Sequence, residues 1–191
     1  LAMLGLIAAD TAAQDRTQSR SMVVSSHGIV ATEHPLASQV GAAILAQGGT
    51  AVDAAVAANA AMGVVSPMMC GIGGDLFAIV YEAKSGKLHG LNASGWAPAK
   101  LTPGYLAGKG MTNMPQKGIH SVTVPGAVDG WQKLLDRFGR LKFAQVLAPS
   151  VRLAEEGFPV SELVSEYWSS SEDLLRKDTN AAKTFLPSFS I

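Results

Sequence analysis

The stretch MMCGIGGDLF, residues 68 to 77, sets three glycines beside a cysteine and an aspartate. Three readings are open to such a run: a glycine loop that cradles phosphate, a cysteine nucleophile, or a backbone turn. A phosphate loop leads from a strand into a helix, so that free N–H groups and the positive helix end meet the anion. Here an alanine-rich helical stretch precedes the glycines and a strand-like apolar run follows. Leu76 takes the last glycine place of a G-x-G-x-x-G pattern, and Asp75 would repel phosphate. GYLAGKG, at 104 to 110, has a Gly-Lys pair but neither the spacing nor the Ser or Thr of a P-loop. Cys70 is the one cysteine, which excludes an internal disulfide and a multi-cysteine metal site. Its neighbours Met68, Met69 and Ile72 favour a buried, inert thiol. The turn reading stands: Gly71, Gly73 and Gly74 are expected to hold backbone conformations or close approaches that a side chain would obstruct.

Other chemistry is sparse. There is no G-x-S-x-G elbow and no H-E-x-x-H, and the four histidines, His27, His34, His89 and His120, stand singly. His34 follows Glu33, but neighbours in extended chain point to opposite faces, so the two read as an ordinary surface pair. No metal site, cofactor site or self-contained catalytic centre follows from these residues.

The elements that would position the glycine turn can be read from periodicity. Fifteen basic residues balance fifteen acidic ones in 191, with 48% hydrophobic residues, so a globular body is expected and nucleic acid is not a partner. SMVVSSHGIVATEH reads as a small β unit, and Pro35 opens a helix that Gly48-Gly49 stops. Thr50 caps the next helix, with Asp53 three residues on, and Ser66-Pro67 breaks it. This helix is apolar nearly all round. Its fifteen residues rise about 22 Å, short of a bilayer's roughly 30 Å core, so it reads as a buried central helix with Asn59 as a satisfied amide, not as a membrane span.

LFAIVYEA, then Lys84-Ser85-Gly86, then KLHGLNAS predict a β-hairpin, and the unbroken apolar run predicts a strand at 76 to 83 covered on both faces. Val128, Trp131, Leu134, Leu135 and Phe138 mark one helix and Val146, Leu147, Val151 and Leu153 another, ended by Gly139 and Gly157. Residues 161 to 177 predict a third helix capped by Ser161. At the chain ends, residues 1 to 20 resemble the tail of a secretory signal peptide and leader, implying a periplasmic or secreted protein, and NAAKTFLPSFSI reads as an extended stretch at a cut end.

The run from GIVATEHPLASQVGAAILAQGGTAVDAAVAANAAMGVVSPMMCGIGGDLF through NASGWAPAKLT, followed by TVPGAVDGW and RLAEEGFPVSE, resembles the N-terminal part of gamma-glutamyltranspeptidases and their acylase-like relatives. The resemblance covers about residues 22 to 187. It implies an α+β fold, part of an αββα N-terminal nucleophile hydrolase sandwich in which stacked antiparallel sheets lie between helical layers. Residues 21 to 191 would be the early part of the large subunit. In such proteins a self-cleaved precursor exposes an N-terminal threonine, whose hydroxyl attacks the gamma-glutamyl amide while its own amine, of ordinary pKa about 8, takes the proton. The resemblance places that threonine beyond Ile191, so no catalytic residue is assigned here and the remainder of the precursor, the small subunit, is the implied partner.

The resemblance also places part of the donor pocket at NASGW, so Asn92, Ser94 and Trp96 are its candidate substrate-binding residues. Ser94 stands where glutathione-type members carry an arginine that grips the donor's alpha-carboxylate, and Gly95 where an acidic residue commonly follows. A bidentate clamp is thereby lost, with Lys100 and Arg140 as possible substitutes. Three readings stay open: an enzyme acting on gamma-glutamyl or related amides, an acylase on another amide such as a cephalosporin-type substrate, and a non-catalytic member. NASGW itself reads equally as a pocket segment or as the loop after a hairpin.

Overall fold

The computed structural model describes residues 22–186; the leader reading of residues 1 to 20 lies outside them, as does the end of the C-terminal stretch. Two antiparallel-strand and eight α-helical elements follow one another among these residues.

Helix α1 is Pro35–Ala46, with Pro35 in its first turn. Its N-cap is His34, whose Nδ1 accepts the Leu36 N–H at 3.2 Å. Gly48, at φ +86°, turns the chain out of it. Helix α2, Ala51–Val65, starts from a capping box: the Thr50 hydroxyl accepts the Asp53 N–H and an Asp53 oxygen accepts the Thr50 N–H. It is the central helix that its composition predicts. Ten of its residues are buried, and α1, α4 (Ala127–Phe138) and α5 (Phe143–Glu156) pack around it. Ile44, Val56, Val65 and Val146 lie fully buried there. Asn59 accepts the indole N–H of the buried Trp131 at 2.8 Å, so each polar group satisfies the other. No helix among the described residues is long and apolar enough to cross a membrane.

Strands β1, Leu76–Glu82, and β2, Lys87–Ala93, form the expected hairpin, paired antiparallel from Leu76 opposite Ala93 to Glu82 opposite Lys87. Gly86 supplies the positive φ of the turn, and the Ser85 hydroxyl donates to Glu82, holding that carboxyl below its ordinary range. Coverage of β1 differs from expectation. Leu76, Ala78 and Val80 pack toward the helical core, whereas Phe77, Ile79 and Tyr81 on the other face are 66%, 82% and 64% exposed. A continuous apolar run shows that both faces suit an apolar environment, but it cannot say that this stretch of chain supplies both.

Other elements also depart from the sequence reading. Residues 22 to 34 carry no strand; Val30 instead packs so closely on α1 that a Cβ on Gly41 would meet it at 2.7 Å. Pro103–Gly108 forms a short helix, α3, capped by Thr102. The buried stripe of α4 is Ala127, Gly130, Trp131, Leu134 and Leu135, with Val128 turned outward. The predicted helix at 161 to 177 breaks at Ser171 into α6, Glu162–Ser170, and α7, Glu172–Leu175. The supposedly extended C-terminal stretch begins as helix α8, Thr179–Phe185, capped by Asp178 and tied by the Trp168 indole N–H to the Phe185 carbonyl at 2.7 Å.

Candidate functional site

Three segments distant in sequence meet where the glycine turn enters β1, where β2 ends, and where α4 begins. The Gly74 carbonyl accepts two N–H groups, from Gly126 and Ala127, each at 3.1 Å. Those donors open α4, whose N-cap glycine has no side chain to satisfy them, so a carbonyl from the turn does so instead. The Val124 N–H donates to the Trp96 carbonyl at 2.9 Å and fixes the loop after β2 against the segment before α4.

The crossing leaves no room for side chains at two positions. A Cβ on Gly95, which has φ +71°, would stand 1.8 Å from the Val124 oxygen, and one on Gly126 would stand 2.2 Å from the Ala93 oxygen. The turn glycines behave otherwise. Gly74 donates to the Gly71 carbonyl at 3.1 Å, so the turn is formed, yet a Cβ on Gly71 or Gly73 would meet nothing, and neither has positive φ. The steric demand expected of Gly71 and Gly73 thus falls on Gly95 and Gly126, because the tight contact is between remote backbones and not within the turn.

Asp75 stands at the centre of this crossing. Its Oδ1 accepts the Thr123 hydroxyl at 2.8 Å and its Oδ2 the Ser94 hydroxyl at 3.3 Å. Asn92 closes the loop locally, its Oδ1 accepting the Ser94 N–H at 2.9 Å, while the Trp96 side chain is 86% exposed. Ser94 and Asn92 are therefore neighbours, whereas Trp96 contributes only its carbonyl, which accepts the Val124 N–H. Asp75 and Thr123 belong to this constellation, although the sequence reading gave Asp75 no role beyond repelling phosphate and Thr123 none. The only signal for them was their place inside the GIGGDLF and TVPG segments. Arg140, offered as a substitute clamp, lies elsewhere: its Nη1 donates to the Gly48 carbonyl at the end of α1, at 2.9 Å.

A cleft of about 370 Å³ opens beside Asp75, lined among others by Asn59, Met68, Met69, Cys70 and Gly73. Cys70 is half-buried, and burial first, then the nearby charge of Glu33, pushes its thiol pKa up. An uncharged thiol is a poor nucleophile, which agrees with the inert reading. His34 is not a surface residue: it is 6% exposed and serves as the cap of α1. His89 contacts Arg137 at 2.9 Å on the helical side of the hairpin, and His120 packs edge-on to Tyr105. Among the described residues no hydroxyl or thiol side chain is hydrogen-bonded to an imidazole, and no three His, Cys, Asp or Glu side chains are grouped to hold a metal ion. The arrangement can bind and orient a ligand through Asp75 and its two hydroxyl partners; it holds no nucleophile–base pair.

The sequence profile of the family described as Gamma-glutamyltranspeptidase matches residues 37–191. The glutathione hydrolase proenzyme of Bacillus subtilis (strain 168) is 40% identical over 169 residues, which are 86% of this chain and 28% of that protein. Among solved structures, gamma-glutamyltranspeptidase from Helicobacter pylori superposes with a TM-score of 0.79 at 32% identity, over 85% of this chain and 47% of that one. Cephalosporin acylase from Bacillus halodurans superposes with a TM-score of 0.72 at 41% identity, over 84% of this chain and 31% of that one. The chain thus spans less than a third of the length of the curated relative and less than half of the first of these structures.

Proposed function

Since the chain belongs to the gamma-glutamyltranspeptidase family and has the mixed helix–strand fold of its members, we propose that it is the early large-subunit part of an amidohydrolase or acyltransferase acting on gamma-glutamyl or related acyl amides. The observation that carries this reading is the match of residues 37–191 to the family, joined to the superposition on a gamma-glutamyltranspeptidase structure. On this reading the nucleophile is a threonine beyond Ile191, freed as an N-terminus when the precursor cleaves itself. Its amine then serves as the base that removes the hydroxyl proton, and attack on the amide carbon expels the amine of the leaving group. The proenzyme names of several relatives support processing of this kind.

This chain's own contribution is the donor side. Asn92, Ser94 and Trp96 line the donor pocket, with the Ser94 hydroxyl donating to Asp75 and the Ser94 N–H to the Asn92 side-chain Oδ1. The leader reading of residues 1 to 20 makes the enzyme periplasmic or secreted. The test is to express the whole precursor, follow its cleavage into two pieces, and sequence the new N-terminus. Cleavage before a threonine, with hydrolysis of gamma-glutamyl-4-nitroanilide that is lost in a Thr→Ala variant of that residue, is expected. An uncleaved precursor with no turnover would overturn the proposal.

A further inference from the structure

Among the described residues that line the cleft beside the glycine turn, Asp75 is the sole charged one, with no Lys, Arg or His beside it. Nor does any of the described ion pairs involve Asp75: its two oxygens are held by the Ser94 and Thr123 hydroxyls. Two hydroxyl donors orient a carboxylate without cancelling its charge, and a carboxylate has lone pairs beyond the two they use. Met68 and Met69, both partly exposed, give the same cleft flexible apolar walls against which a short aliphatic chain can lie. Asp75 thus presents a negative charge to a cleft that also holds polar groups and the two methionines, while Ser94 and Thr123 hold the carboxylate from beside it. A ligand's ammonium fits it, and a carboxylate does not.

From this we infer that Asp75 is a specificity-determining residue, selecting donors whose acyl chain carries an ammonium, and disfavouring a carboxylate, at the end bound near Ser94. The inference rests on the proposed function in taking that ligand to be the acyl donor. A donor ammonium accepts neither hydroxyl's hydrogen bond and needs no counter-charge other than Asp75. Among the described residues, a donor carboxylate would find at Asp75 two hydroxyls already committed to the aspartate, and like charge would oppose it. Thr123 acts through Asp75, as a positioning residue, whereas Ser94 lines the proposed donor pocket and also donates to Asp75.

The experiment uses the whole processed protein and four matched 4-nitroanilides: gamma-glutamyl, with both charged groups; 4-aminobutyryl, with the ammonium alone; glutaryl, with the carboxylate alone; and butyryl, with neither. The expected kcat/KM ratio of 4-aminobutyryl to glutaryl is about tenfold or more, as suits one charge pair in a partly solvated cleft, and it shrinks with added salt. Asp75→Asn keeps the shape and removes the charge, and should bring the ratio to within about threefold of one. Thr123→Val, which loosens Asp75 but keeps its charge, should lower both rates while leaving the preference in place. A ratio near one in the unaltered protein, or one that Asp75→Asn leaves unmoved, overturns the inference even if gamma-glutamyl-4-nitroanilide is cleaved. If none of the four is cleaved, the proposed function falls instead, and Asp75 is judged by calorimetric titration of 4-aminobutyramide against glutaramate. Tighter binding of the ammonium, lost in Asp75→Asn, supports the inference; equal or weaker binding overturns it. Should Asp75→Asn fail to fold, Asp75→Glu, which keeps the charge, must retain the preference for the inference to stand.

Discussion

Both carboxylate oxygens of Asp53 accept the backbone N–H of Arg140, at 3.1 and 3.0 Å, across 87 positions of sequence. The same carboxylate takes the Thr50 N–H and hydroxyl and the Leu141 N–H, and it is completely buried. It therefore serves two elements at once: it closes the capping box of α2 and pins the loop between α4 and α5. Asp53→Ala should destabilise the protein by about 3 kcal/mol, since several N–H groups would be left buried without acceptors, and Asp53→Asn by less. Denaturant titration of the whole protein, compared with both variants, checks this. A loss under 1 kcal/mol for Asp53→Ala would mean that water replaces the carboxylate.

Backbone crossing near Asp75 sets a second expectation. Gly95→Ala and Gly126→Ala each bring a Cβ within 2.2 Å of a carbonyl oxygen, so each should cost about 3 kcal/mol or more and reduce soluble yield. Gly73→Ala points into open space and should stay within about 1 kcal/mol of the parent. Thermal unfolding of the three variants separates them, and equal losses at all three would refute the assignment.

Cys70 offers a test by chemistry. Because burial and the charge of Glu33 disfavour its thiolate, the fraction ionised at any given pH is smaller than for a free cysteine. Alkylation by iodoacetamide at pH 7 to 8 should be slower than that of a small thiol, with its rise displaced to higher pH. Cys70→Ala should leave turnover of the whole processed protein largely intact. Loss of turnover in a folded Cys70→Ala protein would restore a reactive role for the thiol.

The bare face of the hairpin governs behaviour of the 191-residue chain produced alone. Phe77, Ile79 and Tyr81, with Leu88 opposite Tyr81, form an exposed apolar strip. This chain alone should bind hydrophobic dyes, aggregate at modest concentration and show no hydrolysis of gamma-glutamyl-4-nitroanilide. Ile79→Lys with Tyr81→Glu should reduce dye binding without loss of helical circular dichroism. Undiminished dye binding in that double variant would place the exposed surface elsewhere.

Local rules made much of this architecture legible. Pro35, the Thr50–Asp53 box, Gly86, Gly139 and Gly157 mark element ends through interactions within a few residues, and all act where the sequence puts them. What escaped depends on pairs far apart. Asp75 and Thr123 meet only because Gly74 caps α4, and Gly95 and Gly126 are needed only because their two loops cross. Val23, Val24, Ile29 and Val30 have strand-forming side chains but find no partner strand among the described residues, so propensity alone misleads there. His34 caps α1 because its ring nitrogen reaches the Leu36 N–H, which the Glu33-His34 order does not reveal. In the candidate site, the family resemblance singles out Asn92 and Ser94, which the structure shows to be hydrogen-bonded neighbours, whereas the Asp75 carboxylate bonded to Ser94 has no such signal.

The contact between Asp75 and Thr123 spans 48 residues, which gives the chain a timetable during synthesis. At roughly 5 to 20 residues per second, the ribosome needs about 2 to 10 s to make the second partner after the first. A hairpin can form in microseconds, so it waits through that interval with its inner face uncovered by α4 and its outer face bare as well. The nascent protein is thus most vulnerable to misassociation in the span between the glycine turn and the first turn of α4. Synonymous codon changes that slow translation there should lower soluble yield more than equal slowing after Gly139, where the crossing is already closed.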